Sequence, residues 1–86
     1  MVLDNSGWAA VKQATLRVYP DGEAKAGGEF GATLAPDMDF AKVAEAAGAH
    51  GELFSDPASV EGAIARCLDA VRHGRSAVLH AKVTRL

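Results

Sequence analysis

Residues 56–83 read DPASVEGAIARCLDAVRHGRSAVLHAKV, and this stretch decides the fold class. Asp56 is an N-cap candidate, and Pro57 suits the first helical position, where its fixed φ and missing N–H do no harm. Val60, Ala63, Ile64, Cys67, Leu68 and Val71 then recur at the spacing of one helical face. Glu61, Arg66, Asp69 and Arg72 take the polar side. Arg72 and His73 suit the negative end of the helix dipole, and Gly74 supplies a stop. Alternation follows at once, predicting a strand over 76–86. Val78, His80, Lys82 and Thr84 share one side, and Ala77, Leu79, Ala81 and Val83 the other.

Upstream, Glu52–Ser55 is a short apolar-centred run between Gly51 and Asp56-Pro57, and reads as the preceding strand. A second helix is predicted over Asp39–Ala47. Asp39 is its cap, Phe40, Val43, Ala44 and Ala47 its apolar face, and Gly48 its terminator. A third spans Trp8–Val18, with Trp8, Val11, Thr15 and Val18 on one face, and Pro20 with the Asp21-Gly22 turn closes it. Between Gly22 and Pro36 no period is found, and Gly27-Gly28 and Gly31 mark a flexible or tightly turned loop. Met1–Leu3 is the stub of a strand. The order β-α-loop-α-β-α-β belongs to the α/β class with a parallel sheet. Two or three strands covered by helices on both faces need neighbours, so a partial three-layer parallel-sheet unit within a larger domain is expected over residues 1–86.

Composition narrows the function classes. The chain has 86 residues, 49% apolar and 23% charged, which is one soluble globular domain at most. Alanine accounts for 18 of them and concentrates in the helical stretches, where it is the best helix former. A formal charge of -2 without a basic block argues against a nucleic-acid or membrane-surface partner. One cysteine excludes an internal disulfide. No apolar run reaches the ~18–20 residues of a membrane span, and Met1–Trp8 does not read as a signal peptide. The cytoplasm is the expected compartment. Cys67 lies within an apolar stripe and is expected to be buried and inert. His50 in a loop, His73 at a helix end and His80 in a strand show no zinc-ligand spacing. No nucleotide-binding glycine motif occurs.

The chemistry-bearing stretch is Val2-Leu3-Asp4-Asn5-Ser6-Gly7-Trp8, in which a strand ends, a glycine turn follows and a helix starts. Open α/β sheets bind ligands beyond the carboxyl ends of their strands, and a helix N-terminus there favours phosphate. Asn5 can offer a side-chain oxygen and the peptide near Gly7 a carbonyl, both hard ligands suited to Mg²⁺. Asp4-Asn5-Ser6-Gly7 also serves simple turn chemistry. Trp8 either closes over a cofactor or packs as a core aromatic, and its large apolar area favours packing.

Asp4-Asn5-Ser6-Gly7-Trp8, Val11-Lys12, Ala14-Thr15-Leu16, Tyr19-Pro20-Asp21-Gly22, Pro36, Asp39–Ala44 and Gly48-Ala49 stand in an order that resembles one family. So do Asp56-Pro57, the long amphipathic helix, Gly74–Leu79 and Val83-Thr84. The resemblance is to the C-terminal segment of the thiamine diphosphate-binding domain of the acetolactate synthase, benzoylformate decarboxylase and pyruvate decarboxylase group, and it covers nearly the whole chain. It implies a truncated thiamine diphosphate-binding fold, a thiamine diphosphate and Mg²⁺ cofactor pair, and lyase or transferase chemistry on 2-keto acids. It implies Asn5 and the Gly7 carbonyl as metal ligands, and Asn5, Gly7 and Trp8 as cofactor-binding residues. Asp4 stands where the family usually has a first asparagine, which implies a second negative charge near the diphosphate. The Gly-Asp-Gly aspartate, also a metal ligand in the family, and the activating glutamate of another domain have no counterpart here. Two readings follow. One is a fragment of a larger enzyme, inactive alone and completed by the remaining domains. The other is a stand-alone, non-catalytic module that self-associates into a homo-oligomer through its open sheet edges.

Overall fold

The computed structural model describes residues 1–28 and 30–84. Within them the chain forms two compact units, one of Met1–Asp4 with Asp37–Val83 and one built on Asn5–Pro36.

The first unit holds a three-stranded sheet of β1 (Val2–Asp4), β2 (His50–Phe54) and β3 (Ala77–Lys82), in the order β1-β3-β2 and parallel throughout. Two helices belong to it, α3 (Phe40–Ala46) and α4 (Val60–Arg72). Register assigns the faces, because paired residues of a parallel sheet project the same way. Val2, Asp4, Gly51, Leu53, Val78 and His80 share one face, and Leu3, Glu52, Phe54, Leu79 and Ala81 the other. The Phe40 N–H of α3 donates to His80 Nδ1 at 3.3 Å on the first face. Arg66 of α4 reaches Glu52 on the second. Helices therefore cover both faces, which explains why Leu79, His80 and Ala81 are buried in succession on the central strand. The α/β class with a parallel sheet and helical layers is the observed architecture.

Gly51 shows why α3 lies so close. A Cβ built there would sit 2.9 Å from the Ala41 carbonyl carbon and 3.0 Å from its Cα, so only glycine lets that backbone approach. The helix consequently turns small residues to the sheet. Ala41 and Ala44 are buried, whereas Val43, expected on the apolar face, is 62% exposed. On α4 the expected stripe is covered only in part. Ala63 is buried and Val60, Ile64 and Cys67 are half-buried, but Leu68 and Val71 are largely exposed.

Helix boundaries follow local chemistry closely. Asp39 Oδ1 accepts the Lys42 N–H at 3.0 Å, capping α3 as its sequence indicates, and Gly48 ends that helix region at φ 83°. Asp56 Oδ1 accepts the Ala58 N–H at 3.0 Å, and Pro57–Ser59 forms a single 3₁₀ turn before α4 begins at Val60. The strands depart more from expectation. β2 begins at His50 rather than Glu52, because the His50 N–H donates to Ser76 O at 2.8 Å and extends the ladder. His50 is thus a strand residue and not a loop residue. β1 reaches Asp4, and β3 stops at Lys82, although the Val83 N–H still donates to Asp4 O at 2.9 Å. Residues 85–86 of the predicted last strand lie outside the described residues.

The second unit contains α1 (Ala9–Val18) and the short α2 (Glu23–Ala26). The stretch read as a featureless loop holds this one-turn helix because the Lys25 and Ala26 N–H groups both donate to Gly22 O. An Asp21–Lys25 pair at 3.0 Å spans the turn. Trp8 is the N-cap position of α1 rather than its first residue, and it is 56% exposed. The expectation that it packs as a core aromatic fails. Val11 and Val18 of the same expected face are exposed too, while Ala9, Lys12, Thr15 and Leu16 form the partly covered side.

Candidate functional site

The loop that leaves β1 is folded by its own side chains. Asn5 Oδ1 accepts the Gly7 N–H at 3.2 Å, an Asx turn that needs no partner from elsewhere. Ser6 takes a left-handed conformation at φ 52°, unusual for a residue with a Cβ. The turn brings Ser6–Trp8 antiparallel to Ala32–Leu34, with Trp8 N–H donating to Ala32 O at 2.7 Å and Leu34 N–H to Ser6 O at 3.0 Å. A Cβ on Gly7 would lie 2.9 Å from Ala32 O, so glycine is what permits this close pairing. The Gly7 carbonyl takes no part in the two bridging hydrogen bonds.

This pairing encloses a cavity of about 200 Å³ in the second unit. Asn5, Gly7 and Trp8, the three site residues proposed from sequence, all line it. So do Lys12, named in the sequence only as part of the ordered resemblance, and Phe30, neither of them proposed there as a site residue. Lys12 lies one helical turn beyond Trp8, and helical side chains lean towards the N-terminus, so its position was open to inference. Phe30 was not, because it sits in a segment without periodicity. The Lys12 ammonium rests 5.5 Å from the centre of the Phe30 ring, within the range of a cation–π contact.

For a metal ion, the oxygen donors the loop could offer are the Asn5 carboxamide oxygen and the Gly7 carbonyl. Both are oxygen donors of the kind Mg²⁺ prefers, and together they fall well short of its six-oxygen shell. Among the described residues no group of three His, Cys, Asp or Glu side chains could hold a metal. The donor chemistry therefore fits part of a Mg²⁺ site.

Asp4, the residue just before this loop, is held within the sheet unit. Its Oδ2 accepts from His80 Nε2 at 2.9 Å in the sheet unit, and its side chain is only 12% exposed. His80, fully buried, receives the Phe40 N–H on Nδ1 and so donates from Nε2 as the neutral Nε2–H tautomer. The Phe40 ring meets the imidazole edge to face at 5.1 Å. His80 is thus a linking group between strand and helix. No feature of the sequence distinguished it from a surface histidine.

Within the sheet unit, Glu52 is clamped by Arg66 through Nε at 2.6 Å and Nη2 at 3.3 Å, with His50 Nε2 at 3.1 Å. The Arg66 hydrogen bond holds the Glu52 carboxyl below its ordinary value, against burial, and His50 adds to the effect. Cys67 is half-buried rather than fully enclosed. Burial, seconded by the Glu52 charge, pushes its thiol up, which disfavours the thiolate.

The family model for the thiamine pyrophosphate enzyme C-terminal TPP binding domain matches residues 1–81. The chain belongs to this family. Neither the curated proteins nor the solved structures gave a match. Membership in the TPP-binding domain family accounts for the parallel sheet with a helix layer on each face. It also identifies thiamine diphosphate as the cofactor of the enzymes to which such domains belong. No helix among the described residues is long and apolar enough to cross a membrane.

Proposed function

We propose that this chain supplies the Asn5–Gly7 portion of a Mg²⁺–thiamine diphosphate site to a 2-keto acid decarboxylase or carboligase and is not catalytic by itself. The observation that carries this reading is the convergence of Asn5, Gly7 and Trp8 on one cavity at the start of α1. Asn5 Oδ1 and the Gly7 carbonyl would hold the metal, and Trp8 would flank the cofactor. When bound, thiamine diphosphate supplies the electron sink for breaking the bond to the carboxylate of a 2-keto acid. The chain's own part is to present two oxygens and a helix start that favours phosphate. The remaining ligands and the activating glutamate belong to other segments of the parent enzyme, which this reading places in the cytoplasm.

Trp8 is the single tryptophan, so its fluorescence reports on the cavity. The test is titration with thiamine diphosphate with and without Mg²⁺, for the native chain and for Asn5→Ala. Weak, Mg²⁺-dependent quenching that Asn5→Ala removes supports the reading, together with absence of 2-keto acid turnover. Binding indifferent to both Mg²⁺ and Asn5, or turnover by the chain alone, refutes it.

A second reading, a non-catalytic self-associating module, is favoured by the sheet edge. Leu3 on β1 is 66% exposed and Met1 just before it 72%, and among the described strands β1 pairs only with β3. Exposed edges of this kind recruit further strands. Sedimentation of the purified chain discriminates: a discrete homo-oligomer with cooperative melting that ignores the cofactor favours the module.

A further inference from the structure

We propose that Lys12 is the anion-binding residue of the Asn5–Trp8 cavity, placed to take an oxyanion of the cofactor's phosphate or of the substrate's carboxylate. The inference rests on the functional reading above and adds to it a residue that the motif does not contain. Three observations carry it.

The first is charge. Among the described residues that line the cavity, Lys12 is the cation and none is acidic. Among the described residues no carboxylate pairs with Lys12, and its recorded contact is the face of the Phe30 ring. Among the described residues of that wall the positive charge is therefore not neutralised.

The second is order. A lysine side chain loses considerable rotamer freedom when it engages a ligand. Here the stem is half-buried and the ammonium is already held over an aromatic ring, so part of that cost is met before binding. The third is size. Pockets for whole drug-sized ligands run to roughly 300–1,000 Å³. A cavity of about 200 Å³ suits one compact polar group, such as a diphosphate or the carboxylate end of a keto acid.

Phosphate and carboxylate share the chemistry that Lys12 recognises, and the experiment separates them. The full chain, Lys12→Gln and Lys12→Arg are titrated at matched ionic strength with inorganic diphosphate and, separately, with pyruvate, following Trp8 fluorescence. Circular dichroism melts confirm that each variant is folded, and Lys12→Arg keeps the test meaningful should Lys12→Gln be unstable. Saturable binding is expected to weaken roughly tenfold in Lys12→Gln, the scale of one charge-assisted hydrogen bond, and to stay within about threefold in Lys12→Arg. Loss confined to diphosphate assigns Lys12 to the cofactor, and loss confined to pyruvate assigns it to the substrate. Equal affinity in Lys12→Gln and the native chain, or no saturable binding of either anion to the native chain, overturns the proposal. The broader reading is judged on the Mg²⁺ dependence of thiamine diphosphate binding and its loss in Asn5→Ala, with Lys12 intact in both chains, so it stands or falls separately.

Discussion

Replacing His80 with alanine should be the most damaging single change in the sheet unit. The imidazole is fully buried and makes two hydrogen bonds, donating to Asp4 Oδ2 at 2.9 Å and accepting the Phe40 N–H at 3.3 Å. The bond to the Asp4 carboxylate is of the charged kind, with a net contribution of about 1.5–3 kcal/mol. Its loss leaves a carboxylate that is only 12% exposed without that donor. The longer bond to Phe40 contributes less, and the edge-to-face contact with the Phe40 ring adds about 0.5–1.5 kcal/mol. A loss of about 3 kcal/mol is therefore expected. A domain of 86 residues has a total stability of only about 4–13 kcal/mol at the usual contribution per residue. The melting temperature should fall by roughly 12–24 °C, at about 4–8 °C per kcal/mol for domains of this size. The assay is urea unfolding followed by far-UV circular dichroism for the native chain, His80→Ala, Asp4→Ala and the double variant. The double-mutant cycle should return a coupling of about 1.5–3 kcal/mol. A coupling under about 0.5 kcal/mol would show that the Asp4–His80 bond contributes nothing beyond its solvated alternatives, and the reasoning would fail.

Three further outcomes follow from the same geometry. Gly51→Ala drives a Cβ into the Ala41 backbone, and overpacking against an atom that cannot rotate away should cost about 1–3 kcal/mol, measured by the same urea melts; an unchanged midpoint would mean α3 is less closely seated. Glu52 has a carboxyl pKa depressed in the folded state, so its stabilisation is complete above the ordinary value of 4.5 and is lost as pH falls through the lower folded value. Thermal melts between pH 3 and 6 should therefore show a steeper acid limb for the native chain than for Arg66→Met, and parallel limbs would contradict the clamp. Cys67, with its thiol pushed up by burial, should react with iodoacetamide more slowly than a free cysteine at neutral pH, and urea should abolish the protection; equal rates before and after unfolding would refute it.

The elements that sequence located well are those defined by neighbours in the chain. The caps at Asp39 and Asp56, the proline that opens the turn before α4, and the left-handed glycines at 48 and 74 depend on residues within one turn of themselves. The Asn5-Ser6-Gly7 turn is of the same kind, because Asn5 folds back on the Gly7 N–H two residues away. Membership in the TPP-binding domain family was legible for that reason, through a local motif and the order of elements. Burial was less legible. Periodicity nominated Val43 for the α3 face because valine is apolar, but Gly51 removes the side chain that would have spaced helix from strand, and alanines fill the narrow gap. Trp8 was judged by its apolar area, yet its backbone is committed to pairing with Ala32 and its ring stays largely exposed.

The amino-acid sequence alone determined the α/β class, the caps at Asp39 and Asp56 and the turn that follows β1 at Asn5–Gly7, since each follows from short-range sterics, capping and hydrogen bonding. Tertiary structure alone decided that Asp4 is held by a histidine 76 residues away and that β3 is the central strand. It also decided that Lys12 and Phe30 share a wall with the motif. Those pairings depend on which faces the chain buries together, and burial is a sum over all the elements that no single stretch of sequence contains.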